Sequence, residues 1–114
     1  MPDFDEILSS AARLAIIAVL IAGEPVAFTD LKQRTGLADG NLHVQTRKLA
    51  EAGYLEILKG SRGGRSWTRF RITEQGVSAL KLHVRKLQTI LDQEAGGIRP
   101  ITGKRPSDDS QVWS

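Results

Sequence analysis

Two short helices joined by a glycine-containing turn are the feature that most constrains the fold of this chain. Thr29 can cap a helix over residues 30–35, and Gly36 follows that helix as a typical C-terminal stop. Shortly afterwards, Asp39 can cap a longer helix over residues 39–52. Two helices at this separation, with a glycine in the turn, form a helix-turn-helix.

The elements on either side of this pair extend the pattern. Before the pair, a helix that Ser9 or Ser10 can cap runs to Ala22, and an extended piece follows at 26–28. After the pair come strands at 54–59 and 67–72, with a flexible basic loop at 60–66 between them. In each strand the apolar side chains alternate along the chain and share one face. Leu55 and Ile57 share a face of the first strand, Phe70 and Ile72 share a face of the second, and the two strands predict a β-hairpin with a long tip.

The last predicted helix carries an apolar stripe. Thr73 can cap this helix, and the stripe is spaced 3, 4, 3, 4 as in a coiled coil: Val77, Leu80, Val84, Leu87 and Leu91. Such a stripe packs against a helix of the same chain or of a second subunit, and we expect a dimerisation helix at about 73–95. Residues 96–114 are rich in Gly, Pro, Ser and charge and predict a flexible tail after a domain at 1–95. The fold class is then α+β, mainly α with a small β-hairpin, in the order α-(β)-α-α-β-β-α.

Basic residues are concentrated in the middle of the chain. The 114 residues carry a net charge of +3, yet the segment 32–71 holds nine basic and three acidic residues, and the rest of the chain is acidic on balance. The basic residues of the segment are Lys32, Arg34, Arg47, Lys48, Lys59, Arg62, Arg65, Arg69 and Arg71. This distribution is typical of an anion-binding face, although a solvated lysine- and arginine-rich surface has the same composition.

The chain contains no cysteine, which excludes disulfides, thiolate metal sites and cysteine catalysis. This composition fits a reducing compartment, and we expect a cytoplasmic protein. No apolar run has the length of a membrane span, and the apolar stretch 14–22 follows an acidic start, unlike a signal peptide. We therefore expect no membrane partner.

Catalytic and metal-binding motifs are missing from the sequence. No serine lies in a G-x-S-x-G motif, and the glycine-rich loop 60–66 lacks the G-K-[ST] ending of a phosphate-binding loop. His43 and His83 are far apart in sequence and have no H-x-x-x-H spacing, so no metal site is expected. His83, beside the apolar stripe, is interpreted as a helix-surface histidine. We expect a protein that is not an enzyme and has no cofactor.

Three segments of the chain resemble a known group of proteins. They are residues 13–17 (RLAII), the block 37–54 with D-G-N-L and R-K-L-A-E-A-G-Y, and residues 73–80, which begin T-E-Q-G. Over roughly residues 7–92 the chain is similar to small one-domain winged helix-turn-helix transcriptional regulators of the MarR/ArsR-like superfamily. The resemblance implies a double-stranded DNA partner and a wing at residues 60–66. Thr46 departs from the family, which usually has an apolar residue there; either its hydroxyl bonds back to the helix or the packing is looser.

The helix over 39–52 has two distinct faces when residues are placed about 100° apart. Leu42, Thr46 and Leu49 lie on the core side, with Gln45 at its edge. The candidate DNA contacts of the outward side, which Glu51 continues, are Gly40, Asn41, His43, Val44, Arg47 and Lys48. Glycine admits a phosphate, asparagine and histidine can bond phosphates or bases, valine can touch a thymine methyl, and arginine can grip guanine. In the absence of DNA binding, the same residues would simply face water.

The wing supplies the second set of candidate contacts. Arg62 and Arg65 are expected on the minor groove or the backbone, and Arg69 follows them on the next strand. Together with the helix they predict a sequence-specific, double-stranded DNA-binding transcriptional regulator that works as a homodimer. The competing hypothesis is a winged-helix protein–protein interaction module in a larger assembly, since a fold does not settle function. No residue specifies a small-molecule effector.

Overall fold

The computed structural model describes residues 3–95, which form four helices and three strands. The elements are α1 (Ala11–Leu20), β1 (Val26–Ala27), α2 (Phe28–Thr35), α3 (Asp39–Glu51), β2 (Leu55–Arg62), β3 (Arg65–Ile72) and α4 (Glu74–Ala95). Their order confirms the predicted α-(β)-α-α-β-β-α arrangement and the α+β class. The described residues fall into two compact units, one ending at His83 and the other beginning at Val84. The tail predicted at 96–114 lies outside the described residues.

The three strands form an antiparallel sheet in the order β1-β3-β2. Leu55 lies opposite Ile72 and Ile57 opposite Phe70 in the β2–β3 pair. The short strand β1 adds Val26, which also lies opposite Phe70. Because side chains alternate along a strand, this register places all of these apolar groups on one face. The shared faces predicted for the two strands of the hairpin are therefore confirmed, and the structure shows that both face the core.

One apolar core joins this sheet face to the helices. Its buried members are Leu8, Ile16, Ile17, Leu20, Leu31, Leu42, Leu49, Leu55, Phe70 and Ile72. Burial of each such side chain contributes about 1.5–3 kcal/mol relative to its exposure. Since α2 and α3 both place leucines here, the core fixes the helix-turn-helix and leaves the other side of α3 free for a partner.

The predicted caps of α2 and α3 are wrong. α2 begins at Phe28, so Thr29 lies inside its first turn. α3 begins at Asp39 itself, whose carboxylate pairs with Lys32 Nζ at 2.7 Å instead of capping the helix. In both helices the N-cap residue is an extended alanine without a side-chain bond. A cap contributes about 1 kcal/mol, which is less than the burial of one leucine such as Leu31, so packing sets where these helices begin.

The caps of α1 and α4 are as predicted. Ser10 Oγ accepts a hydrogen bond from the backbone N–H of Arg13 at 3.3 Å. Thr73 Oγ1 accepts one from the backbone N–H of Gly76 at 3.0 Å. α1 ends at Leu20, two residues earlier than predicted, because the chain turns there before the next glycine.

The hairpin tip differs from the predicted flexible loop. β2 continues to Arg62 and β3 starts at Arg65, so Gly63 and Gly64 alone make the turn. Their φ angles are 59° and 78°, the positive values that a tight turn between twisted antiparallel strands requires. Cross-strand pairing consequently reaches Arg62 opposite Arg65. The wing, residues 60–66, is the end of a regular hairpin.

Thr46 occupies an apolar environment without an unpaired hydroxyl. The residue is only 2% exposed. Its Oγ1 donates to the carbonyl oxygen of Leu42 at 2.8 Å. Of the two alternatives for this position, the structure therefore supports the hydroxyl that bonds back to its own helix.

His83 is buried, so its interpretation as a helix-surface histidine is wrong. It is 6% exposed, and its ring meets that of Phe4 edge-on, with centroids 5.7 Å apart. Within residues 3–95, its Nδ1 has no hydrogen-bond partner. The burial comes from the N-terminal segment, whose packing against α4 has no signal in the local sequence.

Hydrogen bonds join the beginning of α4 to the end of α3. Thr73 Oγ1 donates to the carbonyl oxygen of Gly53 at 2.6 Å, and its backbone N–H donates to that of Tyr54 at 3.1 Å. Gln75 Nε2 donates to the carbonyl oxygen of Ala52 at 3.4 Å. The start of α4 therefore satisfies the carbonyl groups of the segment 52–54, which directly follows α3.

Gly76 is required at this junction because the backbone of Tyr54 passes directly against it. An added Cβ would overlap the Tyr54 carbonyl oxygen and lie 2.9 Å from Ile72 Cγ1. Gly76→Ala is therefore expected to lower the free energy of unfolding by about 1–3 kcal/mol. In an open helix the same change would raise it by up to about 1 kcal/mol.

Urea unfolding of Gly76→Ala beside Gly40→Ala tests this packing. Gly40 is also helical, but a Cβ added there meets no atom within 4 Å, so the control is expected to match or exceed wild-type stability. A Gly76→Ala protein as stable as wild type would show that the close approach is not a constraint.

The apolar stripe of α4 has two kinds of member. Val77 and Leu80 are half-buried and pack against the core of their own chain. The other three members lie in the unit that begins at Val84 and are exposed: Val84 is 53% exposed, Leu87 is 42% exposed and Leu91 is 60% exposed. Dimerisation through the stripe remains a prediction.

Within residues 3–95, no helix combines the length and apolar character needed to cross a membrane.

Candidate nucleic-acid interface

The outward side of α3 presents the predicted set of candidate contacts to solvent. All of them are exposed: Gly40, Asn41, His43, Val44, Arg47 and Lys48. A shallow groove of about 280 Å³ runs along this side between His43 and Glu51. Val44, 49% exposed, supplies its apolar floor beside two cationic side chains. This mixture of donors, positive charge and one aliphatic group suits the edges of base pairs.

The ion pairs of the basic segment leave its central cations unneutralised. Lys32 pairs with Asp39, and Arg71 pairs with Glu56, each at 2.7 Å. The other seven basic residues of the segment have no acidic partner within residues 3–95, and four of them lie on α3 or the wing: Arg47, Lys48, Arg62 and Arg65. Cations of this kind are the groups that neutralise phosphates when a protein binds nucleic acid.

The wing places two positive charges against each other. Arg62 and Arg65 form the last cross-strand pair before the turn, and both are exposed. Like charges directly opposite each other in a sheet are unfavourable for folding. A polyanion between or beside the two guanidinium groups would relieve that repulsion.

Trp67 supports the base of the wing. Its ring lies over Gly60, its cross-strand partner, where any Cβ would overlap the indole. The guanidinium of Arg69 lies 4.7 Å from the centre of the same ring. This cation–π contact holds Arg69 on the face of the hairpin, so the arginine is less free than Arg62 to reach a ligand.

α3 and the wing border one cleft. It has a volume of about 380 Å³, and β1, α2, α3 and β3 supply its walls: Ala27, Phe28, Thr29, His43, Ser66, Trp67 and Thr68. Phe28 stacks on His43 with ring centroids 4.6 Å apart, which fixes the histidine on the α3 side. The geometry thus brings the predicted His43 close to the wing. Sequence analysis missed Phe28 in this role, because its position before a helix reveals neither the stacking nor the cleft.

A chain of side-chain hydrogen bonds reaches α3 from α1. Arg13 Nη1 donates to Gln45 Oε1 at 2.7 Å, and Gln45 Nε2 donates to Asn41 Oδ1 at 2.9 Å. The Arg13 guanidinium is itself held by bonds from Nε to the Ile7 carbonyl oxygen at 2.7 Å and from Nη2 to that of Glu6 at 3.4 Å. Arg13 and Gln45 were not among the predicted site residues. The signature at 13–17 marks this arginine, but spacing alone does not show what it bonds.

Tyr54, at the exit from α3, is tied to the same N-terminal segment. Its hydroxyl donates to the carboxylate of Asp5, whose other oxygen accepts from the backbone N–H of Ile7 at 2.8 Å. Burial raises the pKa of Tyr54 to about 12, with smaller contributions from the hydrogen bond and the negative charge of Asp5. The phenol therefore keeps its proton at neutral pH, and its contribution to stability is lost only as the pH rises through the interval from 10 to about 12.

The charged and polar residues of the interface are mainly hydrogen-bond donors. Within residues 3–95, no three His, Asp or Glu side chains come together as a metal site would require. Glu51 lies at one end of the α3 groove, and two further acidic groups, Asp39 and Glu56, pair with basic residues. What the surface offers is cationic and amide donors.

A family model described as "Winged helix DNA-binding domain" matches residues 12–91. The chain belongs to this family. The matched region runs from α1 through most of α4 and includes α3 and the wing. A DNA-binding family agrees with the expectation that the protein is not an enzyme.

Individual relatives support the same assignment. The protein MJ0432 of Methanocaldococcus jannaschii is 37% identical over 79 residues, which cover 69% of this chain and 86% of that protein. The structure of a transcriptional regulator homologue from Pyrococcus horikoshii OT3 has a TM-score of 0.72 and 26% identity, covering 79% of this chain and 89% of that chain. Wild-type MarR from E. coli in its apo form shares the fold, with a TM-score of 0.65, 19% identity and coverage of 84% and 73%. The resemblance to winged helix-turn-helix proteins is confirmed, and the likeness to MarR is one of fold.

Proposed function

We propose that this winged helix protein is a sequence-specific transcriptional regulator that binds double-stranded DNA as a homodimer. The observation that carries the proposal is the shared cleft: the exposed side of α3 and the wing border one concave surface, and both carry cations without an acidic partner in residues 3–95. The similarity to a transcriptional regulator homologue supports a role in transcription. The concentration of positive charge on α3 and the wing favours this function over a protein–protein interaction module.

In the proposed complex, α3 lies in the major groove. Its exposed side carries Arg47, which can donate two hydrogen bonds to guanine, and Val44, which can contact a thymine methyl. Lys48 lies further along the helix and is assigned to the phosphate backbone. The buried side of α3 is held by the core, so the contacting side chains project from a rigid support.

The wing contacts the minor groove or the adjacent backbone in this proposal. The tight turn at Gly63 and Gly64 carries no side chains, so the hairpin end can approach the duplex closely. Arg62 and Arg65 then lie on either side of the turn. Arginine is favoured where a minor groove is narrow and its negative potential is strong.

A homodimer follows from the small size of one reading surface. A single α3 helix contacts few base pairs, whereas two related by a twofold axis read half-sites about one helical turn apart. The exposed Val84, Leu87 and Leu91 supply an apolar strip on one helix that a second copy can cover. No residue on this strip specifies a small-molecule effector.

Titration of a fluorescent random duplex at several salt concentrations tests DNA binding. With roughly six to eight phosphate contacts in a dimer, affinity is expected to fall about 10³-fold or more between 50 and 200 mM salt. A duplex enriched from a random library by the wild-type protein should bind more tightly than the random pool at every salt concentration. Failure to bind any duplex at low salt would refute the proposed function.

A further inference from the structure

The guanidinium of Arg13 determines the orientation of two amide side chains on α3. Arginine has only donors, so the atom of Gln45 that lies 2.7 Å from Nη1 has to be the carbonyl oxygen. The three bonds that Arg13 makes to Ile7, Glu6 and Gln45 fix the plane of the guanidinium and hence the direction of this donor. The amide of Gln45 cannot turn over without losing the bond.

The orientation of Gln45 in turn fixes that of Asn41. With its oxygen bound to Arg13, Gln45 directs its –NH₂ group at Asn41, and the partner atom there has to be an acceptor, Oδ1, at 2.9 Å. The –NH₂ group of Asn41 therefore points away from Gln45. Asn41 is exposed and lies in the first turn of α3, the part of the helix that enters the groove in the proposed complex.

We propose that Arg13 and Gln45 are positioning residues that present Asn41 to DNA as a hydrogen-bond donor. The inference rests on the proposed function and deepens it, because neither residue needs to touch the duplex. A donor turned outward bonds to acceptors: phosphate oxygens, N7 and O6 of guanine, N7 of adenine or O4 of thymine. Oδ1 already accepts a bond from Gln45, so the group that Asn41 turns outward is its –NH₂ donor.

Gln45→Glu is the variant that reverses this orientation with little change of shape. Both oxygens of the new carboxylate accept, so the substituted side chain keeps its bond with Arg13 but requires a donor from Asn41. The amide of Asn41 is then expected to turn over and present Oδ1 to the duplex. An outward acceptor repels phosphate and pairs instead with N4 of cytosine or N6 of adenine.

The experiment is a double-mutant cycle with Asn41→Ala, Gln45→Glu and the double variant. Binding is measured on a duplex selected from a random library by wild-type protein, and the library selection is repeated with Gln45→Glu. The expected result is a loss of about tenfold or more for Gln45→Glu in the wild-type background and a loss at least about fivefold smaller in the Asn41→Ala background. The new negative charge is present in both backgrounds, so the difference reports only the orientation of Asn41.

Gln45→Met separates orientation from the simple loss of a contact. Methionine has a similar length and helix propensity but makes neither bond, so Asn41 is left free to adopt both orientations. Its affinity for the selected duplex is expected to fall between those of wild type and Gln45→Glu, with a broader choice of bases in selection. Thermal unfolding of all variants serves as the folding control.

Additive effects of Asn41→Ala and Gln45→Glu would overturn the proposal, as would an unchanged affinity of Gln45→Glu. This outcome is distinguishable from failure of the proposed function, because the wild-type protein binds the selected duplex in one case and binds no duplex in the other. A coupled loss without a change in the selected sequence assigns the outward donor to phosphate. A coupled loss with a changed base assigns it to a base edge, and both outcomes support the positioning role.

Discussion

Removing both wing arginines is expected to weaken binding to every duplex, whatever its sequence, by about 10²-fold or more at moderate salt. The double variant Arg62→Ala with Arg65→Ala takes four positive charges from a dimer, and each phosphate contact that is lost lowers the salt slope by about 1. The effect is large because neither arginine has an acidic partner within residues 3–95. Fluorescence titration across a salt series measures both the affinity and the slope.

The matched control for this variant is Glu56→Ala with Arg71→Ala. This pair lies on the same hairpin and is exposed, but its two charges already neutralise each other at 2.7 Å. Its removal leaves the net charge unchanged, so little change in affinity or salt slope is expected. If the wing variant bound every duplex as well as this control, the wing would have no part in DNA binding.

Arg47→Ala is expected to act differently from the wing variant. An arginine that donates to O6 and N7 of guanine provides about 1–3 kcal/mol of discrimination. Loss of Arg47 should therefore reduce the preference for the selected duplex over random DNA, whereas loss of the wing should leave that ratio nearly unchanged.

Leu87→Glu with Leu91→Glu is expected to convert the protein to monomers and to reduce affinity for a two-half-site duplex by at least about 10²-fold. Both side chains are exposed in the described chain, so the change should leave each monomer folded. A monomer contacts only one half-site and loses the contribution of linked binding. Sedimentation at tens of micromolar and titration of the selected duplex measure the two consequences.

Thr89→Glu is the control for the dimer variant. It adds one negative charge to the exposed helix, where the dimer variant adds two, and places it about 200° around from Leu87, away from the strip. It is expected to remain a dimer. A wild-type protein that already sediments as a monomer at this concentration would remove the dimer from the proposal. Leu80→Glu is unsuitable here because Leu80 packs against the core of its own chain.

The order of elements could be predicted because it depends on periodicities that are local. The apolar spacing of α3 identified Leu42, Thr46 and Leu49 as its core side, and all three are buried. The alternation in β2 and β3 likewise identified the faces that their apolar side chains share. Helix starts were less predictable. Thr29 and Asp39 are favoured N-cap residues, but both lie inside their helices, because core packing and not a side-chain cap sets where each helix begins.

The unpredicted features depend on contacts between residues distant in sequence. The burial of His83 requires Phe4, and the orientation of Asn41 requires Arg13. The two-residue turn of the wing could have been predicted from the Gly63-Gly64 pair, because two consecutive glycines favour such turns. Basic and polar residues on both sides of that pair favoured a loop instead. Candidate DNA contacts could be predicted from residue type and helix geometry, whereas the hydrogen bonds that orient them could not.

The bonds between the end of α3 and the start of α4 have a mechanical consequence. Thr73 and Gln75 donate to the carbonyl groups of the two residues that follow α3, and Gly76 lies directly against the backbone of Tyr54. A tilt of the first turn of α4 would therefore be transmitted through these contacts to the segment that follows α3. In the proposed dimer, a small change in the contact between the two α4 helices would change the distance between the two α3 helices.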